Sequence, residues 1–549
     1  MQQKRISFLV GSTVVVALLF LTAGLVWYDS AAAQTDNEPA KGNDDVYTPT
    51  TADHTQFEEL QQAFKTGPEV TAACLECHTE AAKQVMETPH WNWSLQTENG
   101  EVVGKKNVIN NYCVALSSNE PRCTSCHAGY GWNGNEPFDF TKETNVDCLV
   151  CHDTTGQYKK FPAGSGHPVY EEKEFPPGSG KIWYPPNLTE IAQNVGATSR
   201  ATCGACHFYG GGGDGVKHGD LDSSMTNPSR DLDVHMDAEG LNFACTECHV
   251  TEGHKVPGSR YEMTAVDTHG LDLPVREGDV ATCESCHGLT PMQDAKLNDH
   301  VDTIACQTCH IPEFARVKPT KMWWDWSQAG KKNEDGTEIV TKDDNGWVIY
   351  DTKKGEFVWE MNVVPEYVWF NGISDYMTIG EKIDDTQEVV TLNPIGGSPN
   401  DPNSRIWPMK LFQGRQPYDP VNKVLVVPNL FPSNPDDKEA YWKLYDWNLA
   451  IETGMASVGQ PYSGEYDFIR TEMYWPITHM VAPKEDALAC EDCHSENGRL
   501  AGLEGVYMPA VTQNNTVDTI GWGASLLALV GVVTHGTIRF TSRKKNGGK

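Results

Sequence analysis

Positive charge is what this chain most conspicuously lacks. Its 43 Lys and Arg stand against 75 Asp and Glu, a net charge of −32 at pH 7. Phosphate contacts need clustered Lys and Arg, so no nucleic-acid partner is expected. An acidic surface is ordinary for a secreted protein and by itself names no other partner. Aliphatic residues are modest in number, while 49 Gly and 32 Pro are spread over 549 residues. A core built only from the chain's own side chains would therefore be thin. No motif recurs at a fixed period, which excludes a solenoid. The run Gly210 to Gly213, with Asp214 and Gly215 after it, has no flanking strand and no Lys-Ser/Thr. It is a loop and not a phosphate cradle.

Spare cysteine is also missing, because sixteen of the 17 cysteines fall into eight identical units. These are Cys74-Leu-Glu-Cys77-His78, Cys123-Thr-Ser-Cys126-His127, Cys148-Leu-Val-Cys151-His152 and Cys203-Gly-Ala-Cys206-His207, followed by Cys245-Thr-Glu-Cys248-His249, Cys283-Glu-Ser-Cys286-His287, Cys306-Gln-Thr-Cys309-His310 and Cys490-Glu-Asp-Cys493-His494. A single Cys-x-x-Cys could hold zinc or run dithiol chemistry. Neither demands a His directly after every pair, whereas covalent attachment of haem c does. The spacing aims two sulfurs at the two vinyl groups of one porphyrin edge and lets the His reach the iron. Eight covalently bound haems c are expected, and large apolar macrocycles would supply the missing core.

Each iron needs a second axial ligand unless one face is left for chemistry. Of 18 His, eight are in the motifs. His54 lies in a polar N-terminal stretch and His535 in an apolar C-terminal one. The distal candidates are then His90, His167, His218, His235, His254, His269, His300 and His479. An iron with His on both faces carries electrons and binds no substrate.

Both ends carry apolar segments. Lys4 and Arg5 precede an uncharged run from Ile6 to Tyr28, and Ala31-Ala32-Ala33 offers a small-residue cleavage site. Residues 1–33 are thus an export signal or an N-terminal anchor. Thr519 to Ile538 is about the ~20 residues that span a bilayer, and Arg539, Arg543, Lys544, Lys545 and Lys549 follow it. By the positive-inside rule this tail is cytoplasmic and everything before it lies outside. The expected organisation is a polar linker over 34–66, seven motifs in a haem domain over 67–310, and a haem-free mixed β/loop region over 311–489. The eighth motif at 490–517 and a transmembrane helix with a basic tail at 518–549 complete it. The fold class is a multihaem cytochrome c fold: mainly short α-helices and loops around eight haems, with a minor β or irregular region before the last. Trp323, Trp324 and Trp326 open that region and are assigned to packing.

The cysteine outside the motifs is Cys113. Asn111-Tyr-Cys113 leads into the second motif, and the third is followed by Asp153-Thr-Thr-Gly-Gln-Tyr158-Lys159-Lys160. With the eight motifs and the long gap before the last, this block resembles the octahaem tetrathionate reductase family of c-type cytochromes. The resemblance implies that the second haem is the active site, with lysine in place of a distal His and a non-haem cysteine beside it. Carried over, His127 is the proximal ligand, Cys113 the neighbouring thiol, and Lys160 or Lys159 the distal amine, Lys160 being preferred. Asp153 is a further candidate, as a proton carrier. The activity implied is reduction of tetrathionate, nitrite or hydroxylamine, fed by a membrane donor such as a quinone or a b-type cytochrome subunit. The alternative is a relay between such a donor and another redox protein. Small residues Gly521, Gly523, Ala524, Ser525 and Ala528 would let the C-terminal helix pack closely on a partner helix. His535 is either interfacial or turned to a haem or quinone site in that partner.

Overall fold

The computed structural model describes residues 52–97, 100–261, 282–288, 290–432, 437–506 and 515–546. The expected export segment at 1–33, most of the polar linker, His269 and the end of the basic tail lie outside the described residues. Up to His310 the chain folds as short helices and turns, and the motifs sit on them. Gly67–Leu75 carries Cys74, Leu149–His152 the third motif, Arg200–His207 the fourth and Cys306–His310 the seventh. Asn187 caps Leu188–Gln193 through its side chain, and Ser199 with Thr202 forms a capping box on Arg200–His207. Such caps matter in helices this short, because little else satisfies their first amides.

From Thr320 onwards nine strands build one mixed sheet. They are β1 (Thr320–Asp325), β2 (Val340–Lys342), β3 (Val348–Asp351), β4 (Gly355–Glu360), β5 (Glu366–Phe370), β6 (Val389–Thr391), β7 (Arg405–Asp419), β8 (Val424–Leu425) and β9 (Asp467–Pro476). The main path runs β6-β9-β7-β1-β4-β3-β2, with β5 and β8 also paired to β7. The long β7 is antiparallel to β9, from Met409 opposite Pro476 to Tyr418 opposite Asp467, and parallel to β1. This is a larger sheet than the minor β region expected from the sequence.

Along β9, Ile469, Thr471, Met473 and Trp475 are the buried positions, the period of two that a half-buried strand requires. Ile469, Met473 and Trp475 join Trp324, Trp326, Phe412, Tyr112 and Val108 in the main apolar core. Trp324 is 2 % exposed and Phe412 0 %, and burying each such side chain contributes about 1.5–3 kcal/mol. The sheet therefore forms a wall against which the Cys113 turn is packed. The C-terminal helix, Asn515–Asn546, is exposed along its described length. Its apolar part, Thr516–Ser542, has 27 residues, and the most apolar 18 of them reach a mean hydropathy of 1.6. At 1.5 Å per residue that is about 40 Å, longer than the ~30 Å hydrocarbon layer.

Candidate haem sites

The motif backbones share a device. The His78 amide donates to the Cys74 carbonyl, and the same bond recurs from His152 to Cys148, His249 to Cys245, His287 to Cys283 and His494 to Cys490. One helical turn therefore sets both sulfurs and the imidazole on one side. Two imidazoles bound to one iron, each at about 2 Å, place their ring centroids about 6 Å apart. Six histidine pairs meet that figure: His54–His78 at 6.4 Å, His90–His207 at 6.2 Å, His152–His254 at 6.4 Å, His235–His287 at 6.0 Å, His249–His479 at 6.4 Å and His300–His494 at 6.2 Å. Each pair joins a motif His to a non-motif one.

Tautomer control agrees with this. Nδ1 of His152 bonds the Gly196 carbonyl at 2.8 Å, that of His249 the Pro257 carbonyl at 2.9 Å, and that of His254 the Gln84 Oε1 at 2.8 Å. His300 Nδ1 lies 2.9 Å from the Lys296 carbonyl, and His479 Nδ1 is 3.2 Å from Asp220 Oδ2. With Nδ1 held, Nε2 is left to face a metal. The residues present thus fit haem c, and the cysteines of the first seven motifs line one continuous cavity of about 3270 Å³.

The second motif breaks the pattern. Its His127 amide bonds Thr124 instead of Cys123, through the tight turn Thr124–Cys126. The His127 ring is fully buried. It lies among Trp91, Trp93, Trp132, Phe138 and Phe140, and its Nε2 sits 2.6 Å from the Trp91 carbonyl. The atom a haem iron would need is engaged, while Nδ1 has no partner. Burial pushes this imidazole down to about 3. Beside it, the Lys160 amine donates to the His127 carbonyl and pairs with Asp147 Oδ2 at 2.9 Å. Both side chains are nearly dry, at 8 % and 0 % exposed. Asp147 also accepts from the Tyr130 and Tyr158 hydroxyls at 2.6 and 2.9 Å.

Against known proteins, residues 321–497 match the model for bacterial cytochrome c, and residues 73–153 that for cytochrome c554 and c-prime. The octahaem cytochrome c of Shewanella oneidensis, known from its crystal structure, is 46% identical. The match covers 83% of this chain and 97% of that one, with a TM-score of 0.72. The chain belongs to the octahaem cytochromes c. A protein of Archaeoglobus fulgidus, described only as uncharacterized, is 23% identical over 251 residues, 39% of this chain and 80% of its own.

In this octahaem cytochrome the other expected site residues fall in different places. His54, set aside in the sequence, stacks on His78 with its ring tilted by only 13°. His167 and His218 were expected as distal ligands, and neither faces a motif His among the described residues. His167 stacks on Tyr130 and bonds the Tyr170 hydroxyl at 2.8 Å; burial and the Lys160 charge hold it down to about 4. His218 stands edge-on to Trp475, and burial pushes it well below the usual histidine range. Lys159 is exposed, whereas the Lys160 amine is the one in contact with the second motif. Asp153, expected as a proton carrier, is a loop organiser: it accepts from Thr155 N at 2.8 Å, Thr155 Oγ1 at 2.7 Å and Tyr158 N at 3.0 Å. It shapes the turn that delivers Lys160. Asp147, which the sequence reading did not single out, is the acidic group in contact with the amine.

Cys113 lies in a turn that positive-φ Val114 (67°) closes. Three bonds hold the turn: the Asn110 amide to the Val114 carbonyl at 2.7 Å, Asn111 Nδ2 to the Phe412 carbonyl at 2.7 Å, and Trp326 Nε1 to the Tyr112 carbonyl at 2.8 Å. Burial pushes the Cys113 thiol up.

Attachment cysteines of different motifs also come together. The free thiol of Cys74 lies against that of Cys148, Cys126 against Cys206, and Cys203 against Cys245. Cys283 and Cys306 lie with Glu284 in a group whose ligand atoms are within 4.8 Å of one another. Cys151 lies close to Cys203 and Cys206, Cys248 to Cys286, and Cys309 to Cys493. Once haem is attached these sulfurs are thioethers, so the contacts report proximity. The motifs run first, third, fourth, fifth, sixth, seventh, eighth, with the second branching from the fourth.

Proposed function

We propose that this octahaem cytochrome is a membrane-anchored, extracytoplasmic reductase that carries eight haems c and reduces a small sulfur or nitrogen compound, such as tetrathionate, nitrite or hydroxylamine, at its second haem. The observation that carries the reading is the engagement of His127 Nε2 by the Trp91 carbonyl, with Lys160 beside it. Haem, when bound, supplies the one-electron couples and an iron with a face that substrate can reach. A neutral amine has two N–H groups and one lone pair. The His127 carbonyl and Asp147 take the two N–H groups of Lys160, which leaves the lone pair for a metal. Asp147 is also placed to receive the proton the ammonium must lose before it can ligate. Because Lys160 stands at the carbonyl of His127 itself, it would take the place of the motif histidine as a ligand; the sequence reading has it as the distal amine, with His127 as the proximal ligand.

Cys113 belongs to the same neighbourhood: it lines one cavity with Cys123 and Cys126 of the second motif. The six histidine pairs are the electron store. The cysteine contacts run from the eighth motif, nearest in sequence to the C-terminal helix, to the second. That order fits electrons entering from a quinone or b-type cytochrome partner and leaving at the second haem.

The test is Lys160→Ala in the haem-loaded protein, assayed with reduced viologen on nitrite, hydroxylamine and tetrathionate, alongside electron paramagnetic resonance. Loss of activity by about 100-fold or more, with one minority iron signal altered, is expected; full activity would remove Lys160 from the site. The saturated histidine pairs also favour a second reading, a relay that reduces none of these compounds and shows eight low-spin irons.

A further inference from the structure

Outside the Lys160 side of the second motif lies a group of basic side chains with no assigned work. The Lys217 amine sits 4.8 Å from the centre of the Trp475 ring, the Arg260 guanidinium 4.2 Å from it, and the His218 ring 5.4 Å away, edge-on. Arg260 is wedged between that indole and the rings of Tyr261 and Tyr376, at 4.7 and 5.2 Å. Tyr112, next to Cys113, donates its hydroxyl to the Lys217 carbonyl at 2.9 Å and stands 5.8 Å from Trp475. Burial, with the charges of Arg260 and Lys105, pushes the Lys217 amine well below the usual lysine range, and Cys126 of the second motif acts on it in the opposite sense. The cluster therefore adjoins the second haem's attachment and lines the same cavity.

Three facts make this more than a cation–π cluster. Among the described residues, no carboxylate pairs with Lys217 or Arg260, in a chain with a large acidic excess. Arg260 keeps one terminal nitrogen buried without a hydrogen-bond partner, and so does the Trp475 indole N–H. An Arg260 cation with no acidic partner beside it is unfavourable, and buried donors left unbonded cost about 1–3 kcal/mol each. An anion set between them removes both penalties; a neutral molecule removes only the second.

We propose that Lys217, His218, Arg260 and Trp475 form an anion-binding pocket beside the second haem, which makes anionic substrates, nitrite among them, preferred over neutral hydroxylamine. This rests on the reading of the second haem as the reducing site. Arg260 and Lys217 supply charge, and His218 and the Trp475 N–H supply donors. They hold substrate without taking part in the redox step.

The test uses the full haem-loaded chain and the variants Arg260→Gln and Lys217→Gln, which keep a hydrogen-bond donor but remove the basic group. Nitrite is titrated against the oxidised protein and followed in the Soret region, without turnover. Nitrite and hydroxylamine reduction are then compared above neutral pH, where hydroxylamine is uncharged. The wild type should show a saturable nitrite response. Each variant should raise the nitrite Kd and KM about 10-fold, with kcat and the hydroxylamine KM little changed. No saturable nitrite response in the wild type, or equal losses for nitrite and hydroxylamine, overturns the pocket. If nitrite binds with the predicted charge dependence but is not reduced, the pocket stands and the reductase reading falls.

Discussion

Asp220 is 1 % exposed, and its Oδ2 receives His479 Nδ1 at 3.2 Å and the Thr478 and His479 amides at 2.9 and 3.1 Å. A carboxylate on the far nitrogen makes an axial imidazole more basic and favours the oxidised iron. Asp220→Asn should raise the potential of one haem, the one bound by His249 and His479, and leave the others in place. Spectropotentiometry would show a single component moving upward; no movement would mean that this pair holds no iron. Asp147→Asn leaves Lys160 without its acidic partner in a dry site. It should cost about 3–5 kcal/mol of stability in thermal unfolding and weaken amine ligation. At this scale the sequence was partly readable. The motif histidines could be named because their neighbours are cysteines, and His90, His235, His254, His300 and His479 do face motif partners. What distinguishes His127 is a carbonyl 36 residues earlier in the chain, which no local pattern displays. His54 was hidden by its polar surroundings, because one imidazole needs only its motif partner.

Trp326, assigned only to packing from the sequence, holds the Cys113 turn through its indole N–H and is 0 % exposed. Trp326→Ala removes a large buried ring and that bond together, and should cost about 3–5 kcal/mol. The affected element is the turn, so reactivity of Cys113 toward a thiol reagent should rise. An unchanged rate would show that the turn stands without the tryptophan. The C-terminal helix makes a separate prediction: ending the chain before residue 515 should release the protein from membranes into the soluble fraction with its haem spectrum intact. Element boundaries near the motifs were legible because attachment demands a turn there. The sheet was not. Its strands are separated by polar turns, and β7 draws partners from β1, β5, β8 and β9, so pairing across long sequence separation creates what reads locally as irregular chain.

For the whole molecule, the order of touching cysteines matters more than their number. One line of motifs leads from the eighth, nearest in sequence to the C-terminal helix, to the fourth, and the second branches from it. A branch occupied by a lysine-held iron is where electrons would collect for delivery to substrate. The central claim is that this one centre differs from its neighbours because Lys160 has taken the place of His127. Near-infrared magnetic circular dichroism of the oxidised, haem-loaded protein, with and without Lys160→Ala, tests it most directly. A minority amine-ligated iron beside bis-imidazole irons is expected, with only the minority band lost in the variant. Identical spectra from the two proteins, with every iron bis-imidazole, would contradict it.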